Sequence, residues 1–311
     1  MTHKLTVLIT CKNELKNIGL CIEAVRGIAD ELLIADSGST DGTLEYVLSR
    51  GDCRVIEREY KTAGDFKNWA IPQAKHEWVL IVESDERVTP ALAAEIRTLL
   101  DGEPTADGYW LSRLNHLMGR PVQYTDWGRD HVLRLVRRDL CRYVGPGDHG
   151  MSEVIGGKTG ELKERLVHYT MWSWDQYLQK LDRYARLQAQ QWYLAGRRPT
   201  WLSFLTRPPL RFLRDYVLHR GFLEGSAGLQ LAWMSAFYTF LKQARLWELH
   251  YALPQKHVEA ESITALCQDS AWGVEGEKHP LGAAAKSDAS KADAASETPA
   301  TVAHFRMAKV R

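Results

Sequence analysis

The sequence contains no uninterrupted apolar run of the ~20 residues that a membrane-spanning helix requires. It also lacks an excess of either charge. A formal net charge of +1 argues against a dedicated nucleic-acid binder. Cysteine is sparse and unpatterned: Cys11, Cys21, Cys53, Cys141 and Cys267 are odd in number, widely spaced and form no CxxC pair. Reduced thiols in a cytosolic setting are the expectation. The opening Met1-Thr2-His3-Lys4 leads directly into a strand-like run, so no signal peptide is expected. No G-x-G-x-x-G follows the first apolar run and no P-loop pattern occurs, which speaks against a dinucleotide or Walker-type phosphate site. No Ser-His or Cys-His pattern points to a protein nucleophile.

What is present is organised around Trp78-Val79-Leu80-Ile81-Val82-Glu83-Ser84-Asp85-Glu86-Arg87. A continuous apolar run suits a strand buried on both faces of a parallel sheet. It ends in three carboxylates. A strand puts residues i and i+2 on the same side, so Glu83 and Asp85 are expected to face one pocket, at the edge where open α/β sheets bind ligands. A hard divalent ion such as Mg²⁺ or Mn²⁺, shared with substrate phosphates, would relieve their repulsion. A solvated acidic turn before the next helix is the alternative, since Thr89 and Pro90 are helix-start signals. Upstream, strand and helix signals alternate. Strands are expected at 5–9, 31–35 and 54–58, and helices at 15–30, from 43, and at 64–74. This βαβαβαβ order implies a parallel, doubly wound sheet. Its strand ends gather Thr10 to Glu14, the loop from Asp36, and Glu83 to Asp85 on one edge. Asp36 as an Asx-turn residue and Asp41 as a helix cap remain open.

Thr10-x-x-Asn13-Glu14, Asp36-Ser37-Gly38-Ser39-Thr40-Asp41-Gly42-Thr43, Lys67-Asn68 and Glu83-Ser84-Asp85-Glu86-Arg87 together resemble the family 2 glycosyltransferases of the GT-A fold. The lipopolysaccharide-core β-glucosyltransferase subgroup is similar in pattern. The resemblance spans residues 4–185. It implies an inverting transfer of a sugar from a nucleotide-diphospho-sugar, with UDP-glucose expected, to a lipopolysaccharide-core or other cell-envelope glycolipid. It further implies that Thr10, Asn13, Glu14, Asp36, Ser37, Gly38, Asp41, Lys67, Glu83 and Ser84 bind the donor. A divalent ion would sit on Asp85, with Glu83 and His168 as further ligands. Glu83 departs from the family pattern, which has Asp there. Glu153 matches the catalytic base, although Ser152 stands where the family carries His; His149 is a candidate substitute. Lys67 as a surface lysine, Glu153 as an exposed strand carboxylate and His168 as a core histidine are the plain alternatives. Arg134 and Arg137 fit phosphate binding or a strand edge equally, and Trp127 is a candidate sugar platform.

The second half changes character. A helix is expected at 173–195, with Trp174, Tyr177, Leu178, Leu181, Tyr184 and Leu187 as one apolar stripe. Six arginines lie between 197 and 220, among Trp201, Phe204, Phe212 and Tyr216. Such a mixture fits a helix lying in a membrane interface, through residues 197–241. A helical subdomain or a dimer contact is the alternative. From 273 onward Ala, Ser, Lys, Asp, Glu and Pro dominate, residues 282–301 have almost no large apolar side chain, and disorder is expected. The expected organisation is a catalytic domain at 1–170 (donor half 1–115, acceptor half 116–170), a helical membrane-associating region at 171–260, and a tail at 273–311. The expected location is the inner face of the cytoplasmic membrane. Three rivals remain: a sugar nucleotidyltransferase, an inactive membrane scaffold that keeps the fold, and an RNA binder using the basic half.

Overall fold

The computed structural model describes residues 2–145 and 151–252. His149 and the tail at 273–311 lie outside the described residues, as does the end of the helical region beyond 252. The chain runs β1 (Leu5–Cys11), α1 (Leu15–Arg26), β2 (Glu31–Asp36), α2 (Thr43–Arg50), β3 (Arg54–Glu57), α3 (Ala63–Ala70), β4 (Trp78–Glu83), β5 (Glu86–Val88) and α4 (Pro90–Asp101). It continues through β6 (Gly108–Leu117), β7 (Arg120–Pro121), β8 (His131–Arg137), β9 (Cys141–Val144), β10 (Met151–Val154), β11 (Thr159–Glu161) and β12 (Leu166–Met171). Three long helices end it: α5 (Trp174–Leu194), α6 (Trp201–Leu213) and α7 (Ser226–Tyr251).

The main sheet has the order β3-β2-β1-β4-β8-β6-β12-β5. The first four strands are parallel, and β8 pairs antiparallel with both β4 and β6. The expected doubly wound α/β sheet is present. β1, β2 and β4 are buried almost throughout, as strands covered on both faces must be. One face is covered by α1, α2 and α4 through Ile18, Ile22, Val25, Val47, Leu92 and Ile96. The other is covered by Phe66 and Ala70 of α3. Each such side chain stabilises the fold by about 1.5–3 kcal/mol on burial. α3 stops at Ala70, and a 3-10 turn over Ile71–Gln73 replaces the helix expected to reach 74. Pro72 explains this, because it lacks the N–H and crowds the preceding turn.

A correction concerns the carboxylate run. β4 ends at Glu83, and Ser84 and Asp85 form a turn before β5. Strand alternation therefore does not carry from Glu83 to Asp85. Glu86 closes the turn, its Oε2 accepting from the Glu83 N–H at 2.8 Å. The helices α5 and α7 then pack on β6 and β12 through Leu117, Met171, Tyr177, Leu181 and Leu231. They join the sheet in one compact unit, Met1–Ala252.

Candidate active site

A cleft of about 560 Å³ lies at the C-terminal ends of the parallel strands. Thr10, Asn13, Glu14, Ser37, Lys67, Glu83, Ser84 and Asp85 all line it, together with Tyr60 and, from α5, Arg183 and Tyr184. Eight of the residues expected on sequence grounds thus meet in one place. Asp36 does not. It is 1 % exposed, and its Oδ1 accepts from Gly38 N and Ser39 N, both at 2.8 Å. Its Oδ2 accepts from Ser39 Oγ at 2.5 Å. The Asx-turn alternative describes it: Asp36 shapes the loop and leaves Ser37 to line the cleft. Gly38 supplies a left-handed position in that loop (φ 90°) and is not among the lining residues. Asp41 binds the N-terminal turns of both neighbouring helices, accepting from Thr43 N at 3.0 Å and Leu15 N at 3.1 Å. It lines a second groove beside α1.

Beneath the cleft is a dense charge cluster. Glu83 Oε1 accepts from Lys67 Nζ at 2.6 Å and lies 3.1 Å from Arg134. Glu86, fully buried, meets Arg134 at 2.8 Å and Arg113 at 3.2 Å. Burial alone would raise the Glu83 carboxyl pKa, but the charges of Arg134, Lys67 and Arg113 hold it well below the usual range. Lys67 is shifted up by Glu83 despite its own burial, and its ammonium lies 5.2 Å over the Tyr143 ring. Lys67 is therefore a buried partner of Glu83 rather than a free surface cation.

Asp85 stands apart from this cluster. Its Oδ2 lies 3.4 Å from His168 Nε2. On the other side of the ring, His168 Nδ1 is 2.6 Å from Asn115 Oδ1. The Asn115 amide nitrogen donates to Trp127 O at 2.8 Å and to Asp130 Oδ2 at 3.0 Å. Those two acceptors fix which end of the amide is oxygen, so Nδ1 of His168 carries a proton. Nε2 is then the ring atom that faces the Asp85 carboxylate oxygen. Burial would raise the Asp85 carboxyl pKa, but the His168 hydrogen bond and charge hold it below the ordinary value.

The chemistry of this donor set decides whether it suits a divalent ion. Asp85 and His168 fit: hard and borderline ligands, with the histidine oriented by a second amide as metal-binding histidines are. Glu83, Glu86 and His168 also offer atoms within 4.8 Å of one another. The two glutamates, however, are shared among Lys67, Arg113 and Arg134. Lys67, Arg113 and Arg134 face Glu83, Glu86 and Asp130, so Glu83, expected as a metal ligand, is already engaged by two cations, whereas Asp85 is not.

A second cleft, of about 630 Å³, opens on the far side of His168. Arg113, Asn115, Trp127, Asp130, Lys180 and Tyr184 are among its lining residues, and Arg211, Ser235 and Tyr238 close it from α6 and α7. Asp130 Oδ2 accepts from Arg113 Nε at 2.8 Å as well as from Asn115. Glu153 lines neither cleft. It sits exposed on β10, across from Arg142. Alternation along β10 is the reason. Ser152 and Val154 take the inward face, Ser152 Oγ donating to Leu133 O at 3.3 Å and Val154 packing on the core. The residues missed on sequence grounds, Asn115 and Asp130 above all, had a weak signal. Arg113 and Asn115 are polar residues two apart in β6, hence on one face.

The sequence profile of glycosyl transferase family 2 matches residues 6–142. The lipopolysaccharide core biosynthesis glycosyltransferase LpsC of Rhizobium meliloti is 30% identical over 264 residues, which is 82% of this chain and 96% of LpsC. An uncharacterized glycosyltransferase of Rickettsia bellii is 25% identical over 262 residues, 80% of this chain and 88% of its own. Among solved structures, residues 1–349 of S. aureus TarS in complex with UDP align at 15% identity with a TM-score of 0.40, covering 79% of this chain and 91% of that one.

Proposed function

The chain belongs to glycosyl transferase family 2, and from that premise we propose that it transfers a sugar, with inversion, from a nucleotide-diphospho-sugar to a cell-envelope glycolipid. The observation that carries this proposal is the Asp85–His168 pair at the strand ends, with its tautomer fixed by Asn115. Asp85 and His168 would hold a divalent ion, Mg²⁺ or Mn²⁺, which supplies charge stabilisation for the departing diphosphate. Thr10, Asn13, Glu14 and Ser37 bound the nucleoside end of the cleft. Lys67 and Glu83, locked together, form its rigid floor. UDP-glucose is the proposed donor, from the subgroup resemblance. A lipopolysaccharide-core acceptor is proposed from the similarity to LpsC.

The acceptor is placed in the second cleft. Its attacking hydroxyl needs a base there, and Asp130 is the carboxylate linked to the donor site through Asn115 and His168. With Oδ2 held by Arg113 and Asn115, Oδ1 is left to receive the proton. One displacement at the anomeric carbon then inverts it, and no protein nucleophile is used. The test is transfer from a panel of nucleotide-sugars to membrane lipid extract, with and without Mn²⁺. Metal-dependent turnover of one donor is expected. Asp130→Asn should lower kcat by at least about 10²-fold, the scale of a positioned base. Glu153→Gln should stay within about threefold, since an exposed carboxylate that lines neither cleft moves no proton. A severe loss in Glu153→Gln with an active Asp130→Asn would return the base to Glu153.

Attachment to the membrane surface is proposed for residues 197–241. No helix among the described residues is long and apolar enough to cross a membrane. Yet α6 and α7 expose Trp201 (76 %), Leu205, Leu210 and Trp233. Arg198, Arg207 and Arg220 form no ion pair among the described residues. An apolar face with unpaired arginines suits an anionic lipid surface, each arginine contributing about 1 kcal/mol. Sedimentation with vesicles rich in phosphatidylglycerol is expected at low salt, and weakened binding at high salt. Trp201→Ser with Leu205→Ser should release the protein. Equal recovery in the supernatant with and without vesicles would remove the proposal.

A further inference from the structure

α5 packs on β6 and β12, but its face toward the clefts is charged. Ser173 starts it, accepting from Gln176 N, and Tyr177, Leu181, Ala185 and Ala189 are its buried stripe. One edge of that stripe carries Lys180, Arg183 and Tyr184. Lys180 lines the acceptor-side cleft, Arg183 lines the donor cleft and Tyr184 lines both. The Lys180 ammonium donates to the Thr170 carbonyl at 3.3 Å, and its charge acts on both Glu14 and Asp85 across the cleft. The Arg183 guanidinium lies 4.9 Å over the Tyr184 ring and donates to its hydroxyl at 3.3 Å. Neither cation forms an ion pair among the described residues.

The remaining charges of the site are already matched. Lys67, Arg113 and Arg134 answer Glu83, Glu86 and Asp130. Two cations without a carboxylate partner, held over the edge where Asp85 stands, call for an anionic ligand rather than a neutral one. We infer that α5 is the leaving-group wall: Lys180 and Arg183 receive the diphosphate of the donor. During transfer the bond from the anomeric carbon to the phosphate oxygen breaks, and its electron pair stays on the diphosphate. The bond from the acceptor oxygen to that carbon forms, and the acceptor proton passes to the base. Negative charge therefore grows on the diphosphate, where Lys180 stands ready, and contacts that strengthen in this way lower the barrier. As a deepening of the donor site proposed above, the inference rests on that reading.

The test compares nucleoside diphosphates with nucleosides on the full chain, by calorimetry in Mg²⁺. UDP, GDP and ADP are titrated beside uridine, guanosine and adenosine. The wild type is expected to bind one diphosphate more tightly than its nucleoside. Lys180→Met and Arg183→Met should each weaken that diphosphate about tenfold, as loss of a charge-assisted hydrogen bond does, and leave the nucleoside unchanged. Lys180→Arg should restore most of the difference. Unchanged diphosphate affinity in both methionine variants, with wild-type circular dichroism, overturns the inference and leaves the donor site standing. A wild type that binds none of the three diphosphates removes the donor site itself, and the inference with it. Arg183 is exposed, so its variant tests the idea even where Lys180→Met fails to fold.

Discussion

Asp85→Asn is expected to lower glycosyl transfer on the order of 10³-fold, the several kcal/mol that a correctly placed divalent ion contributes to a departing diphosphate. The change is nearly isosteric, so packing is preserved and the loss is chemical. Asn at this position removes the negative charge that faces His168 Nε2 at 3.4 Å. The site then has one nitrogen ligand and no carboxylate. Added Mn²⁺ should recover little activity, because the variant's affinity for the ion falls along with its rate. Asn115→Ala offers a graded companion. It leaves both proposed ligands in place but frees the imidazole that Asn115 Oδ1 holds at 2.6 Å. Loss of such an orienting partner typically costs about 10–100-fold in metal affinity, and here excess Mn²⁺ should restore turnover. If Asp85→Asn retains transfer within a few-fold of wild type, the ion is not held there. If Asn115→Ala is silent at limiting metal, the tautomer argument fails.

Much of this site was legible before any coordinates. The apolar run from Trp78 reads as a doubly covered strand, with its carboxylates at the C-terminal edge of the sheet. The turn formers from Asp36 to Gly42 marked the neighbouring loop. Gly42 is required there, since it starts α2 with φ 93°, a conformation costly for side-chain-bearing residues. What was not legible is which carboxylate meets which cation. Glu83, Asp85 and Glu86 lie within four residues, yet Glu86 is fully buried on arginines from β6 and β8. Those partners are 27 and 48 residues away, beyond any local spacing rule. The base shows the same limit. Glu153 matches the family's base in sequence, though with Ser152 in place of His, but the parity of one short strand turns it outward. Parity is settled by tertiary packing: Val154 against the core and Ser152 against Leu133. A one-residue slip would reverse every side chain on β10, and no feature of Met151-Ser152-Glu153-Val154 read alone opposes such a slip.

Arg134→Met should destabilise the fold by about 3–5 kcal/mol at neutral pH, the usual effect of removing one partner from a buried ion cluster. The Arg134 guanidinium is 3 % exposed and reaches both Glu83 and Glu86. Methionine fills a similar volume, so the loss is electrostatic rather than a cavity. Lys67 and Arg113 remain, but each serves mainly one glutamate, and the two carboxylates then repel across the gap. The pH dependence gives the sign. Burial would raise the Glu83 pKa, and Arg134 is the first of the charges that hold it far below its unfolded value. A depressed pKa contributes stability above the unfolded pKa and loses it as pH falls through the folded one. Without Arg134 that depression shrinks. The gap between wild type and variant should therefore be largest near neutral pH and close as the solution is acidified below the ordinary carboxylate range. Urea unfolding at a series of pH values measures it. A gap that is flat with pH would mean that Arg134 acts through packing alone. A partner change, Glu86→Gln in the Arg134→Met background, should recover part of the loss, because it removes the buried charge that Arg134 no longer answers.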